Sequence, residues 1–202
     1  MFFAPIISGS AQVVGELYAS KNYINHEVWW SKSFSDSSRF SFFSFNRFRI
    51  NYEHPENSQF LNYSTLNYSF GKNLGVSGGG FLTQYGFSPI VALNFFHFSE
   101  TWMIGLFPGV EIKDQPNADI FAFVQFRPML NDRVRVFSQI IASSNFSFKQ
   151  HNISEQSVRL GLDYKSFQLG YGFDLGQFTL QEGLTLTTVW TDSHGIFVRR
   201  EF

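Results

Sequence analysis

Two neighbouring stretches decide the fold. They are Ser157-Val158-Arg159-Leu160-Gly161-Leu162-Asp163-Tyr164 and, after Lys165-Ser166, Phe167-Gln168-Leu169-Gly170-Tyr171-Gly172-Phe173-Asp174-Leu175. In both, apolar residues occupy every second position. A period of two belongs to a β-strand with one apolar and one polar face. Strands of about ten residues with this pattern, in a chain ending on the aromatic Phe202, predict a transmembrane β-barrel. Its apolar face would meet lipid and its polar face a wet lumen.

Composition agrees. Aromatic residues make up 19% of the 202-residue chain, 27 of them Phe, and charged residues only 15%, below the ~25% usual for soluble domains. A formal charge of −1 argues against a nucleic-acid partner. The absence of Cys excludes disulfides and thiolate metal sites. No window resembles a spanning helix of ~18 apolar residues. The mean hydropathy of −0.10 is what alternating strands give.

Working outward, twelve strand candidates lie near 13–22, 26–35, 39–52, 58–70, 73–84, 89–98, 101–112, 119–128, 133–148, 155–164, 167–176 and 194–202, with boundaries good to ~2–4 residues. The fold class expected is all-β, an antiparallel up-and-down barrel of twelve strands, within a range of about ten to fourteen. Connections after even strands are short and rich in turn formers, such as Gly71-Lys72-Asn73 and Lys165-Ser166. Several after odd strands are longer, including Glu53 to Ser58 and Lys113 to Ala118. This parity places both termini on the periplasmic side. Residues 177–193 fit either strand extensions around an outer loop or an extra hairpin. Pro108 and Pro128 suggest bulges. Residues 1–11 read as the remnant of a signal peptide, with small residues before a cut at Gln12, and 12–202 as the barrel.

Parity also assigns faces. Leu160, Leu162, Leu169, Tyr171, Phe173, Val134, Val136, Ile140, Ile104, Leu106, Val110, Ile120, Val124 and Phe126 should face lipid. Trp102, Tyr164 and Tyr52 suit interfacial belts. The lumen candidates are Arg47, Arg49, Arg127, Arg133, Arg135, Arg159 and Arg199, with Glu111, Asp163, Asp174 and Glu201 as acids. Gln125, Gln139, Gln168, Asn67 and Asn94 are the neutral polar members, and inward Phe residues such as Phe43, Phe45 and Phe123 join them. The seven Arg against four acids favour an anion-leaning lumen for small anionic solutes. Two readings stay open: a narrow porin or small-solute channel, and a non-conducting accessory barrel filled by its own side chains that binds partners through outer loops.

A third reading, an outer-membrane lipid hydrolase, needs Ser and His on one outward strand site. Among His26, His54, His97, His151 and His194, none shares a strand with an obvious Ser partner, so no enzyme, catalytic residue, cofactor or metal is expected. Phe202, with Val198 and Ile196 on its face, resembles the terminal signal read by the bacterial barrel assembly machinery, although Arg200 departs from it. The Phe-, Tyr- and Asn-rich strands over 12–202, notably Phe43 to Tyr52 and Arg159 to Phe173, resemble small outer-membrane barrels of Bacteroidota. The resemblance implies a Gram-negative outer membrane and contact with its lipid.

Overall fold

The computed structural model describes residues 12–35, 37–147, 150–182 and 185–202; the leader expected over 1–11 lies outside them. It contains twelve strands: β1 (Gln12–Ser20), β2 (Tyr23–Ser33), β3 (Phe40–Asn51), β4 (Gln59–Ser69), β5 (Leu74–Thr83), β6 (Gly86–Phe98), β7 (Trp102–Glu111), β8 (Ala118–Phe126), β9 (Val134–Phe146), β10 (His151–Tyr164), β11 (Phe167–Glu182) and β12 (Thr185–Glu201). Each pairs antiparallel with its sequence neighbour, and β1 closes on β12, giving the closed twelve-strand barrel that the alternation predicts. Closure leaves no sheet edge along the paired wall, so the backbone amides and carbonyls there are satisfied within the ladder.

The two ends of the chain meet where β1 pairs with β12. Val14 lies opposite Glu201, and the Phe202 amide donates to the Val13 carbonyl at 2.9 Å. An even strand number puts them on one rim. The expected contrast of tight turns on one rim and longer loops on the other is not found: the far rim has connections from two residues (21–22, 84–85) to seven (52–58), and this rim from two to seven (127–133). The tightest on this rim joins β10 to β11 through Lys165 (φ 51°) and Ser166 (φ 68°). Both lie in the left-handed region, which is the geometry of a type I′ hairpin whose twist matches the flanking strands.

The opposite rim has fewer long loops than expected, since β6 begins at Gly86 and β10 at His151, inside the loops expected over 85–89 and 150–154. Of the two readings of residues 177–193, strand extension holds and an additional hairpin does not. β11 and β12 simply continue, pairing from Phe167↔Arg200 out to Glu182↔Thr185. β10 stops pairing at Ile153↔Phe178 and β1 at Ser20↔Gly195, so this hairpin rises above its neighbours. The prolines also behave differently from a bulge. Opposite Pro108 the ladder lapses between Ala92↔Gly109 and Phe95↔Leu106 with its register unchanged. Pro128 lies beyond β8. Among the described residues the register shifts between His151 and Ile153.

The outward face is apolar around the barrel. Leu160, Leu162, Leu169, Tyr171, Ile140, Val110 and Ile120 all leave about half of their surface open, for example Leu160 at 55%. Trp102, Tyr52 and Tyr164 are exposed near strand ends. A water-facing surface of this kind is rare in soluble proteins, which seldom expose contiguous apolar patches beyond a few hundred Å². The polar residues have gone the other way, into the barrel.

Candidate functional site: a closed lumen

The interior is built by the second face of each strand. Its ionic half lines β9 to β12 and β1 to β3. Arg159 on β10 is 2% exposed. Its Nε donates to Glu16 Oε1 on β1 at 2.9 Å and its Nη1 to Asp174 Oδ1 on β11 at 2.6 Å. The guanidinium also lies 4.0 Å from the centroid of Tyr18. Tyr23 on β2 donates its hydroxyl to Asp174 Oδ2 at 2.6 Å. Gly172 makes this arrangement fit, because a Cβ there would meet the Tyr18 ring at 2.6 Å and Arg159 Nη1 at 3.0 Å.

A second group bridges the barrel. Arg47 on β3 donates from Nε to Glu27 Oε1 at 2.8 Å and from Nη1 to Glu155 Oε2 at 2.9 Å. Arg49 reaches the other Glu155 oxygen at 3.2 Å. β3 and β10 are separated along the wall by β2, β1, β12 and β11, so these ion pairs cross the interior. Charges this buried persist only when paired and hydrogen-bonded, because each must replace its lost hydration. Further in, Arg199 donates to Gln139 Oε1 at 2.8 Å, and Gln139 donates to Gln125 Oε1 at 3.1 Å. Near the rim that carries both chain ends, Arg127 holds Glu201 at 3.0 Å and pairs with Asp163, while Arg135 donates to the Glu100 carbonyl at 2.9 Å.

The other half is aromatic. Phe45, Tyr63 and Ile90 form a buried cluster packed with Trp29, Phe43, Leu61 and Phe81. Phe96, Phe107, Phe121 and Phe123 continue it with ring centroids 5.3 to 6.3 Å apart. Trp29 on β2 meets Phe123 on β8 edge-on at 6.2 Å. These strands are diametrically opposed in the strand order. Aromatic side chains therefore touch across the lumen, a geometry that contributes about 0.5–1.5 kcal/mol per pair beyond burial.

Toward the opposite rim, Asn145 Nδ2 donates to Glu111 Oε1 and Asp119 Oδ1, both at 2.9 Å, and Lys113 pairs with Glu111. A cavity of about 680 Å³ opens there, lined by Lys113, Asp114, Gln115, Asn117, Ser147, Gln150 and Asn152. On the same rim His54 Nδ1 lies 3.1 Å from Glu56 Oε1 in an exposed 3₁₀ turn. A hydrogen bond from its own backbone and the His54 ring hold the Glu56 carboxyl below its ordinary range. Among the described residues no group of three or more His, Cys, Asp or Glu side chains converges as a metal site.

The residues singled out in the sequence occupy two kinds of place. Arg47, Arg49, Asn94, Glu111, Gln125, Arg127, Arg135, Gln139, Arg159, Asp163, Asp174 and Arg199 sit on the inward face. Arg133 does not. It lies in the exposed turn before β9, its amide bound to Asn131 Oδ1 at 3.0 Å, because the strand begins one residue later. Sequence reasoning also missed inward carboxylates: Glu16, Glu27 and Glu155. With these, and with Asp119 turned inward, the interior arginines Arg47, Arg49, Arg127, Arg135, Arg159 and Arg199 face Glu16, Glu27, Glu111, Asp119, Glu155, Asp163, Asp174 and Glu201. The cationic excess expected of the lumen is absent, since acids outnumber arginines among the described residues.

A closed, antiparallel, twelve-stranded wall with an apolar outside and a polar inside defines a β-barrel of the porin-like architecture. One solved porin structure shares this fold at a TM-score above 0.5. A NanC porin superposes with a TM-score of 0.52 at 8% identity, covering 95% of this chain and 98% of that one. A KdgM porin gives 0.48 at 10% identity, covering 95% and 99%. LpxR from Salmonella typhimurium gives 0.47 at 9% identity, covering 96% and 99%. At 8% identity the likeness to the NanC porin is one of fold alone. No family model and no curated relative matches the chain.

Proposed function

We propose that the protein is an integral outer-membrane barrel whose lumen is closed at its waist, a non-conducting barrel that acts through its outer surfaces. The observation carrying this reading is the pair of cross-lumen contacts, Arg47 with Glu155 and Trp29 with Phe123. A pore needs a continuous wet path, and these side chains occupy it. The charge balance adds to it: every interior Arg named above donates to a carboxylate, amide or backbone oxygen of the protein, which leaves little positive field for anionic solutes. The exposed apolar belt supplies the contact with membrane lipid. In the same reading both termini face the periplasm, and Phe202 is the signal for the assembly machinery.

Purified protein reconstituted into vesicles loaded with a small sugar or anion tests this. Retention equal to that of empty vesicles is expected. Release that scales with protein content, and is faster for anions than for cations, would return the protein to the anion channels.

A further inference from the structure

β10 begins with an irregularity. His151 pairs with Phe146 and Ile153 with Asn145, so Asn152 is an extra residue. In a regular strand, residues three apart point to opposite faces. The inserted residue cancels that alternation and turns His151 and Ser154 to the same side, the outside. His151 Nε2 lies 2.7 Å from Ser154 Oγ, and Ser154 Oγ lies 2.6 Å from Ser144 Oγ on β9. The His151 ring rests against Phe146, a residue 38% exposed on the outer face. β-bulges re-aim side chains in this way and recur beside active sites.

The surroundings suit an amphiphile. A single row of paired residues crosses the outer wall: Ile120 opposite Ser144, Ser144 opposite Ser154, Ser154 opposite Gln177, and Gln177 opposite Trp190. Ile120 and Trp190 are exposed apolar ends of the row, and between them stand two hydroxyls and an amide. Tryptophan at the end of an apolar belt marks the membrane interface. The Ser–His pair therefore sits where the acyl belt of the barrel gives way to its polar rim.

We propose that Ser154 and His151 form a nucleophile–base pair that hydrolyses carboxylic esters of acyl-chain amphiphiles presented from the membrane. Ser154 Oγ attacks the ester carbonyl carbon while its proton passes to His151 Nε2. The tetrahedral intermediate collapses, the carbon–oxygen bond to the alcohol breaks, and His151 returns the proton to that alcohol. Water then attacks the acyl-Ser154 ester, again through His151, releasing the carboxylic acid and restoring the hydroxyl. The Ser144 hydroxyl, hydrogen-bonded to Ser154 Oγ at 2.6 Å, positions it in the resting state. Alternation in the sequence leaves no His on a strand with an obvious Ser partner; the bulge at Asn152 makes such a pair.

The test uses the folded full chain in detergent micelles, with a fluorophosphonate probe and p-nitrophenyl esters of short and long fatty acids. A covalent adduct at Ser154 is expected by peptide mass mapping. Hydrolysis should favour long acyl chains and fall about 10²-fold or more in Ser154→Ala and in His151→Gln, because general-base assistance of this kind contributes ~10²–10⁴. His151→Gln keeps a hydrogen-bonding side chain beside Ser154, so its loss reads the base and not the packing. Ser138→Ala, on the same outer face of β9, should retain the wild-type rate. If Ser154→Ala does not fold, the wild-type adduct map and His151→Gln still decide. No adduct at Ser154, or an adduct formed equally fast in His151→Gln, overturns the proposal.

Discussion

Replacing Arg159 by Leu removes the most connected cation of the barrel. The side chain donates to Glu16 at 2.9 Å, Asp174 at 2.6 Å and its neighbour's carbonyl at 3.1 Å, and it covers the Tyr18 ring. Its carboxylate partners are themselves buried, with Glu16 at 4% and Asp174 at 6% exposure. Leu restores apolar volume but leaves both acids without their cation. Removing one partner of a buried ion pair costs about 3–5 kcal/mol, because the remaining charge stays desolvated. Arg199 lies 4.0 Å from Glu16 and offsets part of this, so the lower end, about 3 kcal/mol, is expected. That is roughly a hundredfold change in the unfolding constant. Urea unfolding of the barrel in lipid vesicles, followed by tryptophan fluorescence, measures it. The triple change Arg159→Leu, Glu16→Gln, Asp174→Asn should recover more than half of the loss, since no unpaired charge remains. A single-variant loss under about 1 kcal/mol, or no recovery in the triple variant, would mean that the lumen is wet enough to screen these charges, and the closed-lumen argument would fail.

Further outcomes follow from other parts of the wall. Lys165→Asn with Ser166→Gly should raise stability by about 0.5–1 kcal/mol, because left-handed backbone costs most L-residues ~1–2 kcal/mol, less the entropy of glycine; the same urea titration reads it. Ile140→Arg, on the half-exposed outer face of β9, should cost about 2–4 kcal/mol in lipid if it lies near the midplane, and nearly nothing if the belt does not meet acyl chains. Cysteines placed at Lys72 and Asn131 should react with an impermeant maleimide only from the periplasm, and one at Glu56 only from outside. The reverse pattern, read by gel shift on intact cells, would invert the topology.

Most of the fold was legible because alternation is a local signal. Twelve strands, their order of pairing and the lipid face of Leu160, Leu162 and Ile140 follow from parity alone. The lumen was legible only where strands alternate cleanly. β1 and β2 carry large apolar residues on both faces, with Tyr18, Tyr23 and Trp29 inside and Leu17, Ile24 and Trp30 outside, so Glu16 and Glu27 gave no face signal. Glu155 lay at the expected start of a strand that in fact begins at His151. Arg133 failed for the opposite reason: the alternation Arg133-Val134-Arg135 runs on past the strand end, while Asn131 closes a turn over it. The outward pairing of His151 with Ser154 depends on one inserted residue, and a shift by one residue reverses every side chain beyond it. No local pattern in Gln150 to Ser154 announces that shift. Charge balance was likewise invisible, because it is set by which acids turn inward and not by how many the chain contains.

The closed lumen is tested most directly by single-channel recording in planar bilayers, comparing the native protein with the combined variant Trp29→Ala, Arg47→Ser, Glu155→Ser. These changes remove both cross-lumen contacts. Closure predicts no steady openings for the native barrel and a new, stable conductance for the variant. Steady openings of the native protein with the same conductance as the variant would contradict it.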